Sequence, residues 1–314
     1  MHAIADTHLD IAWSSLENGR DFVAGHPDAA AGLPDLLQGG VTLACATVFC
    51  AKYEPEEETP AELAERQLAY YDALPGRSGG KVIWPADVMD VGTCAPGRNL
   101  CLIGLIEGCE PIKSVTELEA YYRRGVRVVG LTWNDKNKWA AGCSHAGGLS
   151  AEGVDLVKEI DRLGMVHDVS HLSRRSLDDL LGTARGPVMA SHVGADAVFA
   201  HVRNLTDEHL KAIAQRGGVA CLVLFQKFLA AGRATMDDVK RHLMHMLEVC
   251  GPDGVGIGSD MDGGFGRDQL PGGIRSAADL PKIAAALADE GVPDGDIAKV
   301  CGGNARRVLT AVMM

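Results

Sequence analysis

The sequence predicts an α/β fold, a closed (β/α)8 TIM barrel with an additional C-terminal helix. Three observations support this prediction. Short apolar segments alternate with amphipathic segments along the whole 314-residue chain. The apolar segments lack the period-two polarity of half-exposed strands, which indicates strands buried on both faces and paired in parallel. The composition, 46% hydrophobic with 38 glycines and only 5% aromatic residues, is typical of a tightly packed core with many short turns.

Local signals place the individual elements. An opening strand is expected at 3–5, and a short helix at 33–38 ends at the pair Gly39-Gly40. Thr59-Pro60 begins a helix that continues to about Leu74. The pattern Ser114-x-x-Glu117 predicts a capping box at the start of another helix. The other strands are expected at 41–49, 100–106, 126–131, 165–169, 187–190, 218–224 and 254–258. The other helices are expected at 114–124, 151–163, 173–182, 206–215, 235–249 and 277–289, with one or two more within 294–312.

A doubly wound open sheet would show the same alternation of strands and helices. Such a nucleotide-binding sheet carries a glycine-rich loop after its first strand. Here that place holds Asp6-Thr7-His8-Leu9-Asp10 instead, so the barrel is favoured. No linker or low-complexity tract divides the chain, and residues 1–314 are expected to form a single domain.

Polar side chains follow five of the eight expected strands. In a barrel, the side chains at the C-terminal ends of strands gather at one rim and form the active site. His8 and Asp10 follow the opening strand and, two residues apart on extended backbone, point to the same side. The set as a whole is His8, Asp10, Glu107, His171, His192, Asp260 and Asp262.

Each of these residues alone has an ordinary structural explanation. Glu107 could cap the helix that follows it, His171 and His192 could be hydrogen-bonded core residues, and Asp260 with Asp262 could shape a glycine-rich turn. Together they indicate a metal site, because burying so many ionisable groups without a cation is costly. Imidazole and carboxylate ligands suit Zn²⁺ best, with Mn²⁺, Co²⁺ or Fe²⁺ as alternatives.

Three imidazoles and two or three carboxylates exceed what one tetrahedral ion binds, so two metal ions per chain are predicted, with Glu107 as the shared ligand. A hydroxide between the two ions would be the nucleophile near neutral pH. Asp260, which is not needed as a metal ligand, would move a proton from that water to the leaving group. Asp6 and Asp168 are predicted to orient the metal ligands, with a plain turn or capping role as the alternative.

Composition excludes other classes of function. The net charge of −12 argues against nucleic-acid binding, since no cluster of Lys and Arg is present to neutralise phosphates. The 9 cysteines are scattered without a Cys-x-x-Cys pair, which is typical of a reduced compartment and excludes the usual thiolate zinc site. No signal peptide and no run of roughly 18 apolar residues is found. A cytoplasmic protein without a membrane segment is therefore expected.

The motifs at the strand ends resemble those of the membrane (renal) dipeptidase family, the M19 metallopeptidases, which are similar to the amidohydrolase barrels. They occur in the family's order and at similar spacing over nearly the entire chain. The matching segments are Asp6–Asp10, Ile106-Glu107-Gly108, Leu131-Thr132, Asp168–His171, Ser191-His192, Val202-Arg203-Asn204, Gly256–Gly263 and Gly302-Gly303-Asn304.

The resemblance implies specific roles. His8 and Asp10 would bind one zinc ion, His171 and His192 the second, and Glu107 both. Asp260 would be the catalytic acid and base. Arg203 would pair with the free carboxylate of a dipeptide, which a guanidinium fork does bidentately; its structural alternative is a surface loop residue. Members of the family hydrolyse dipeptides, often with a D-residue at the C-terminal side, and are often homodimers.

Two positions depart from the family pattern and affect substrate binding. Trp133 stands where other members have a histidine that contacts the substrate, and Phe225 stands where some have a tyrosine. Trp133 cannot accept a proton or carry charge. A hydrolase of another amide, a lactam or an N-acyl amino acid thus remains an alternative to a dipeptidase. A catalytically silent metal-binding barrel is a third hypothesis, which the presence of Asp260 disfavours.

Overall fold

The chain closes eight parallel strands into a barrel in the computed structural model, which describes residues 2–51 and 58–313. The predicted (β/α)8 fold is confirmed. The strands are β1 (Ile4–Leu9), β2 (Val41–Phe49), β3 (Val82–Ile83), β4 (Leu100–Glu107), β5 (Val126–Gly130), β6 (Val166–Asp168), β7 (Val188–Val193), β8 (Val219–Leu222) and β9 (Val255–Ile257). Closure runs from β1 through β2 directly to β4, then in order to β9 and back to β1. The two-residue strand β3 pairs with the start of β4.

Twelve helices are found in the described part of the chain, most of them on the outside of the barrel. They are α1 (Ile11–Glu17), α2 (Leu33–Gln38), α3 (Pro60–Arg77), α4 (Val88–Thr93), α5 (Leu118–Arg123), α6 (Ala151–Leu163), α7 (Arg174–Thr183), α8 (Asp207–Gln215), α9 (Met236–Cys250), α10 (Pro281–Asp289), α11 (Asp294–Ala298) and α12 (Asn304–Thr310). None of the helices in the described ranges is both long enough and apolar enough to cross a membrane.

Helix starts match the sequence signals except at one place. Thr59 forms the full capping box with Glu62 ahead of α3. The capping box predicted at Ser114 is wrong. The Ser114 side chain caps no backbone N–H, Glu117 instead accepts a hydrogen bond from the Lys113 N–H at 2.8 Å, and α5 begins only at Leu118 after a short 3-10 turn.

Alternate residues of each strand pack on opposite sides of the barrel wall. Leu43 and Cys45 belong to the inner core, whereas Ala44 and Ala46 belong to the layer between strands and helices. The inner core continues into α12 through Val308 and Leu309. The predicted C-terminal helix therefore closes one end of the barrel.

That closed end is the N-terminal end of the strands. The Asn304 amide donates to the carbonyl oxygens of Pro252 and Val255, at 2.7 and 2.9 Å, where β9 begins. Gly302 lies so close to the start of β1 that a Cβ atom would be 2.5 Å from the Ala3 carbonyl oxygen. The functional rim is thus the opposite, C-terminal end.

Gly258, directly after β9, packs against the backbone of β7 at Ser191. A Cβ atom there would lie 1.7 Å from the Ser191 carbonyl oxygen, which also accepts a hydrogen bond from the Thr7 hydroxyl at 2.6 Å. We expect Gly258→Ala to lower the free energy of unfolding by about 3 kcal/mol or more, because the crowded atom is backbone and cannot move aside. Urea unfolding measures this change.

Gly182→Ala is the matched control, since Gly182 lies in α7 with no atom within 4 Å of its added methyl group. It should leave stability unchanged or raise it by up to about 1 kcal/mol. Equal midpoints for Gly258→Ala and the parent protein would contradict the packing described here.

Candidate metal centre

The predicted site residues converge at the C-terminal rim of the barrel. His8 and His192 lie within β1 and β7, and Glu107 is the last residue of β4. Asp10 and His171 follow β1 and β6 closely. All five side chains are buried, and they reach one point from four strands.

Glu107 lies at the centre of this cluster. Its Oε1 atom is 2.9 Å from His171 Nε2, 3.4 Å from His8 Nε2 and 3.6 Å from His192 Nε2. His8 Nε2 is in turn 3.7 Å from Asp10 Oδ2. Three groups of side chains lie close enough together to hold a metal ion: Glu107 with His171 and His192, Glu107 with His8 and Asp10, and Asp168 with His8 and His192. Glu107 is common to the first two.

The three imidazoles are held with Nε2 facing the centre. Ser191 Oγ lies 2.8 Å from His192 Nδ1 and 3.3 Å from His8 Nδ1. Asn134 Oδ1 lies 2.8 Å from His171 Nδ1. An acceptor at Nδ1 places the ring proton there and leaves the Nε2 lone pair for a metal ion.

Asp168 and Asp6 hold this arrangement from behind. Asp168 accepts hydrogen bonds from the Ser191 hydroxyl at 2.6 Å and from the Ser191 and Ser170 N–H groups at 2.9 and 3.0 Å. With its proton donated to Asp168, the Ser191 hydroxyl can only accept from the imidazoles. Asp6 accepts from the Ser259 N–H at 2.8 Å and the His8 N–H at 3.3 Å, and so fixes the end of β1 against the segment after β9.

The donor set fits a cation. His8 Nε2 is buried without a hydrogen-bond partner among the described residues. His171 Nε2 and His192 Nε2 lie 2.7 Å apart, and with their other nitrogens donating, two lone pairs face each other. Such a contact is favourable only with a proton or a metal ion between the nitrogens. Imidazole and carboxylate donors are the ligands of zinc and related ions.

The pKa directions agree with this fit. Burial, with the nearby positive charge of Arg203, lowers the pKa of His171 to about 3. Burial likewise holds the pKa of His192 well below its usual value. Both rings are therefore neutral near pH 7, the form in which imidazole binds metals.

The carboxylates give the centre a negative charge. Burial lowers the pKa of His8, but the facing Glu107 and Asp10 outweigh this and raise it to about 10. Burial and the charge of Glu107 raise the pKa of Asp10 to about 7. A cation bound here would neutralise the carboxylates and displace the proton from His8.

Strained backbone concentrates at this rim. Among the described residues, only three that are not glycine have a positive φ angle: His171 at 67°, Asp260 at 63° and Asp262 at 65°. Such residues cluster at functional sites because surrounding structure is needed to hold them.

Asp260 and Asp262 have different surroundings. Asp260 Oδ1 lies 3.9 Å from His8 Nε2, and burial, with the charges of Asp10 and Glu107 added, raises its pKa well above the usual value. Asp262 faces away from the metal ligands and accepts hydrogen bonds from the N–H groups of Ala30 and Ala31, at 2.8 and 3.0 Å. Asp262 thus fixes a loop, and only Asp260 is left to react.

We expect Ser191→Ala to weaken metal binding by about 10- to 100-fold, because His8 and His192 lose the acceptor that orients their rings. Titration of the metal-free protein with Zn²⁺ against a competing chelator measures this change. Ser14→Ala is the matched control, since Ser14 is also buried but its hydroxyl has no hydrogen-bond partner within residues 2–51 and 58–313. Equal affinities for the Ser191 and Ser14 variants would contradict the orienting role.

A cavity of about 300 Å³ opens above these residues, with Asp10, Glu107, His171 and Asp260 in its lining. Trp133 and Phe225, both predicted to contact substrate, also line it. The Trp133 ring is 5.9 Å from the His171 ring.

Arg203 is 4% exposed, so its alternative as a surface residue is wrong. One guanidinium nitrogen donates to the His192 carbonyl oxygen at 3.2 Å, and Nε has no acceptor among the described residues. The guanidinium therefore lies directly behind a metal ligand with a donor to spare.

Sequence reasoning missed the roles of Ser191, Asn134 and Thr47. The Thr47 hydroxyl contacts Asp10 Oδ1 at 2.5 Å. Ser191 is part of the motif Ser191-His192, and Asn134 directly follows Trp133, so adjacency to these predicted site residues was the available signal. Their partners, however, are separated from them by as many as 183 positions, a pairing that only the closed barrel reveals.

Similarity to known proteins extends over most of the chain. The family model described as membrane dipeptidase (peptidase family M19) matches residues 1–314. An uncharacterized Klebsiella pneumoniae protein from the pqqA 5′ region is 32% identical over 267 residues, covering 81% of this chain and 97% of that protein.

Two solved structures share the fold. Dipeptidase AC, a metallopeptidase of family M19, superposes with a TM-score of 0.89 at 24% identity, covering 99% of each chain. A metallopeptidase from Rhodobacter sphaeroides, bound to a phosphinate mimic of the dipeptide L-Ala-D-Ala, superposes with a TM-score of 0.88 at 24% identity and the same coverage.

Proposed function

The chain belongs to the membrane dipeptidase family, peptidase family M19, as its motifs predicted, and from this premise we propose that it hydrolyses dipeptides with two zinc ions. The observation that carries the proposal is the pair of ligand groups that share Glu107 at the floor of one cavity. Metal-dependent dipeptide hydrolysis is the activity of the family. The number of ions, their identity as zinc and the preference for L- or D-residues are our proposals.

His8 and Asp10 would hold one ion, His171 and His192 the other, and Glu107 both. Bound there, zinc supplies Lewis acidity to the scissile carbonyl group and lowers the pKa of a water molecule toward neutrality. The protein keeps His171 and His192 neutral by burial and orients the imidazoles through Ser191 and Asn134.

Asp260 would move the proton. Its carboxylate lies in the cavity lining beside the ligand groups and is not one of their members. Oδ1 would accept the proton of the attacking water and pass it to the departing amine. Its Oδ1 atom lies 3.9 Å from His8 Nε2.

Arg203 would bind the free carboxylate of the substrate. It is a buried cation next to His192 whose Nε has no acceptor among the described residues. A carboxylate would satisfy that donor and the charge together. The cavity, at about 300 Å³, is at the small end of ligand pockets, which supports short substrates.

Metal analysis and a substrate panel test the proposal. The panel contains L-L and L-D dipeptides, a matching tripeptide, N-acyl amino acids and a lactam. Two zinc ions per chain with turnover of dipeptides alone is the expected result. If the protein hydrolyses N-acyl amino acids or the lactam but no dipeptide, it is a hydrolase of another amide. If it binds metal but hydrolyses none of these compounds, it is a catalytically silent metal-binding protein.

A further inference from the structure

Aromatic side chains are unevenly distributed in this protein. The chain has 6 phenylalanines and 4 tryptophans among 314 residues. Six of these ten side chains line the cavity above the predicted metal ligands, namely Trp13, Phe49, Trp133, Phe225, Phe228 and Phe265.

The six rings form two walls that come from different arcs of the barrel. The first wall follows β1, β2 and β5, where Phe49 contacts Trp13 and Trp133 edge-on with ring centroids 6.3 and 5.6 Å apart. The second wall follows β8 and β9, where Phe225 stacks on Phe265 at 4.4 Å and meets Phe228 at 5.0 Å. The carboxylates of Asp10, Glu107 and Asp260 and the ring of His171 line the same cavity.

Most of the six rings keep part of their surface exposed. Five of the six are half-buried, and Phe49 is buried but also reaches the cavity. The polar groups of the floor account for metal binding and proton transfer, which aromatic rings cannot perform. Covering exposed ring faces with apolar surface is favourable, and aromatic partners add specific ring contacts.

We propose that the cavity selects dipeptides with large apolar side chains, aromatic ones above all, and that each wall takes one of the two side chains. The inference rests on the proposed dipeptidase function and adds the substrate class. One methylene in an apolar pocket changes kcat/KM by about tenfold or more, so a phenyl ring in place of a methyl group should have an effect at least that large.

The experiment uses the zinc-loaded full chain with Ala-Ala, Phe-Ala, Ala-Phe, Phe-Phe and Lys-Ala. The parent should show kcat/KM for Phe-Phe at least about tenfold above Ala-Ala. Trp13→Ala and Phe265→Ala each change one wall. One variant should lose the gain in kcat/KM from phenylalanine at the first residue of the dipeptide, and the other should lose the gain from phenylalanine at the second. Phe265→Leu should restore part of it. Tyr122→Ala is the control, because Tyr122 lies outside the cavity beside Arg127.

Equal turnover of Ala-Ala and Phe-Phe would overturn the inference while leaving dipeptidase activity in place. So would a preference for Lys-Ala, which would mean that the ring faces attract a cation. If no dipeptide is cleaved by the zinc-loaded protein, the proposed function itself fails, and the two failures are thereby distinguished.

Discussion

Glu107→Ala is expected to abolish hydrolysis and to leave the purified protein without bound metal. Glu107 belongs both to the ligand group with His171 and His192 and to the ligand group with His8 and Asp10. Its Oε1 atom lies within 3.6 Å of all three imidazole Nε2 atoms. Removing it takes one ligand from each proposed ion. The loss of affinity should exceed the roughly 100-fold typical of residues that act only through a metal ligand. Metal content after dialysis and chelator competition measure it.

Glu110→Gln is the matched control for that variant. Glu110 lies three residues further along, its pKa is raised by burial, and one of its carboxylate oxygens has no hydrogen-bond partner in the described structure. An amide there should be tolerated, with metal content and activity retained. Retention of both ions by Glu107→Ala would show that Glu107 is not a shared ligand.

Asp260→Asn is expected to keep the metal and lose the reaction. An amide matches the carboxylate in shape but cannot accept the proton of the attacking water. Kcat should fall by roughly 10²- to 10⁴-fold, the usual contribution of a general acid or base, with little change in KM or metal content. Steady-state kinetics with metal analysis on the same preparation separate the two effects. Turnover at the parental rate would exclude Asp260 as the proton carrier.

Asp262→Asn serves as the comparison within the same loop. Asp262 holds the Ala30 and Ala31 N–H groups and lies 3.2 Å from an Arg20 nitrogen. Its replacement should lower the free energy of unfolding by about 1–3 kcal/mol without a selective loss in kcat. Asp260→Asn should therefore lower kcat, whereas Asp262→Asn should lower the free energy of unfolding.

The fold and the metal cluster could be predicted because both depend on periodic patterns. Buried strands that alternate with helices fit a barrel or an open sheet, and the absence of a glycine-rich loop after the first strand favours the barrel. In a barrel the residue after each strand faces a known rim. Glu107, His171 and His192 needed only that rule to be placed together. The burial of Arg203 could not be predicted, since it depends on how the loop after β7 folds back.

The remaining features depend on contacts that no local pattern encodes. The strand β3 is two residues long and gives no periodic signal. The Ser191 hydroxyl serves Asp168 and two imidazoles at once only because β1, β6 and β7 meet in the closed barrel. The aromatic walls combine Trp13 of α1 and Phe49 of β2 with rings from the segments after β5, β8 and β9. The conformation of such loop segments is set by tertiary packing rather than by sequence period.

Anomalous diffraction at the zinc edge from crystals of the zinc-loaded protein would locate the metal ions. Two peaks are expected, one on either side of the Glu107 carboxylate, the first bound by His8 and Asp10 and the second by His171 and His192. No peak within this cluster, or a single ion that Glu107 does not touch, would contradict this expectation.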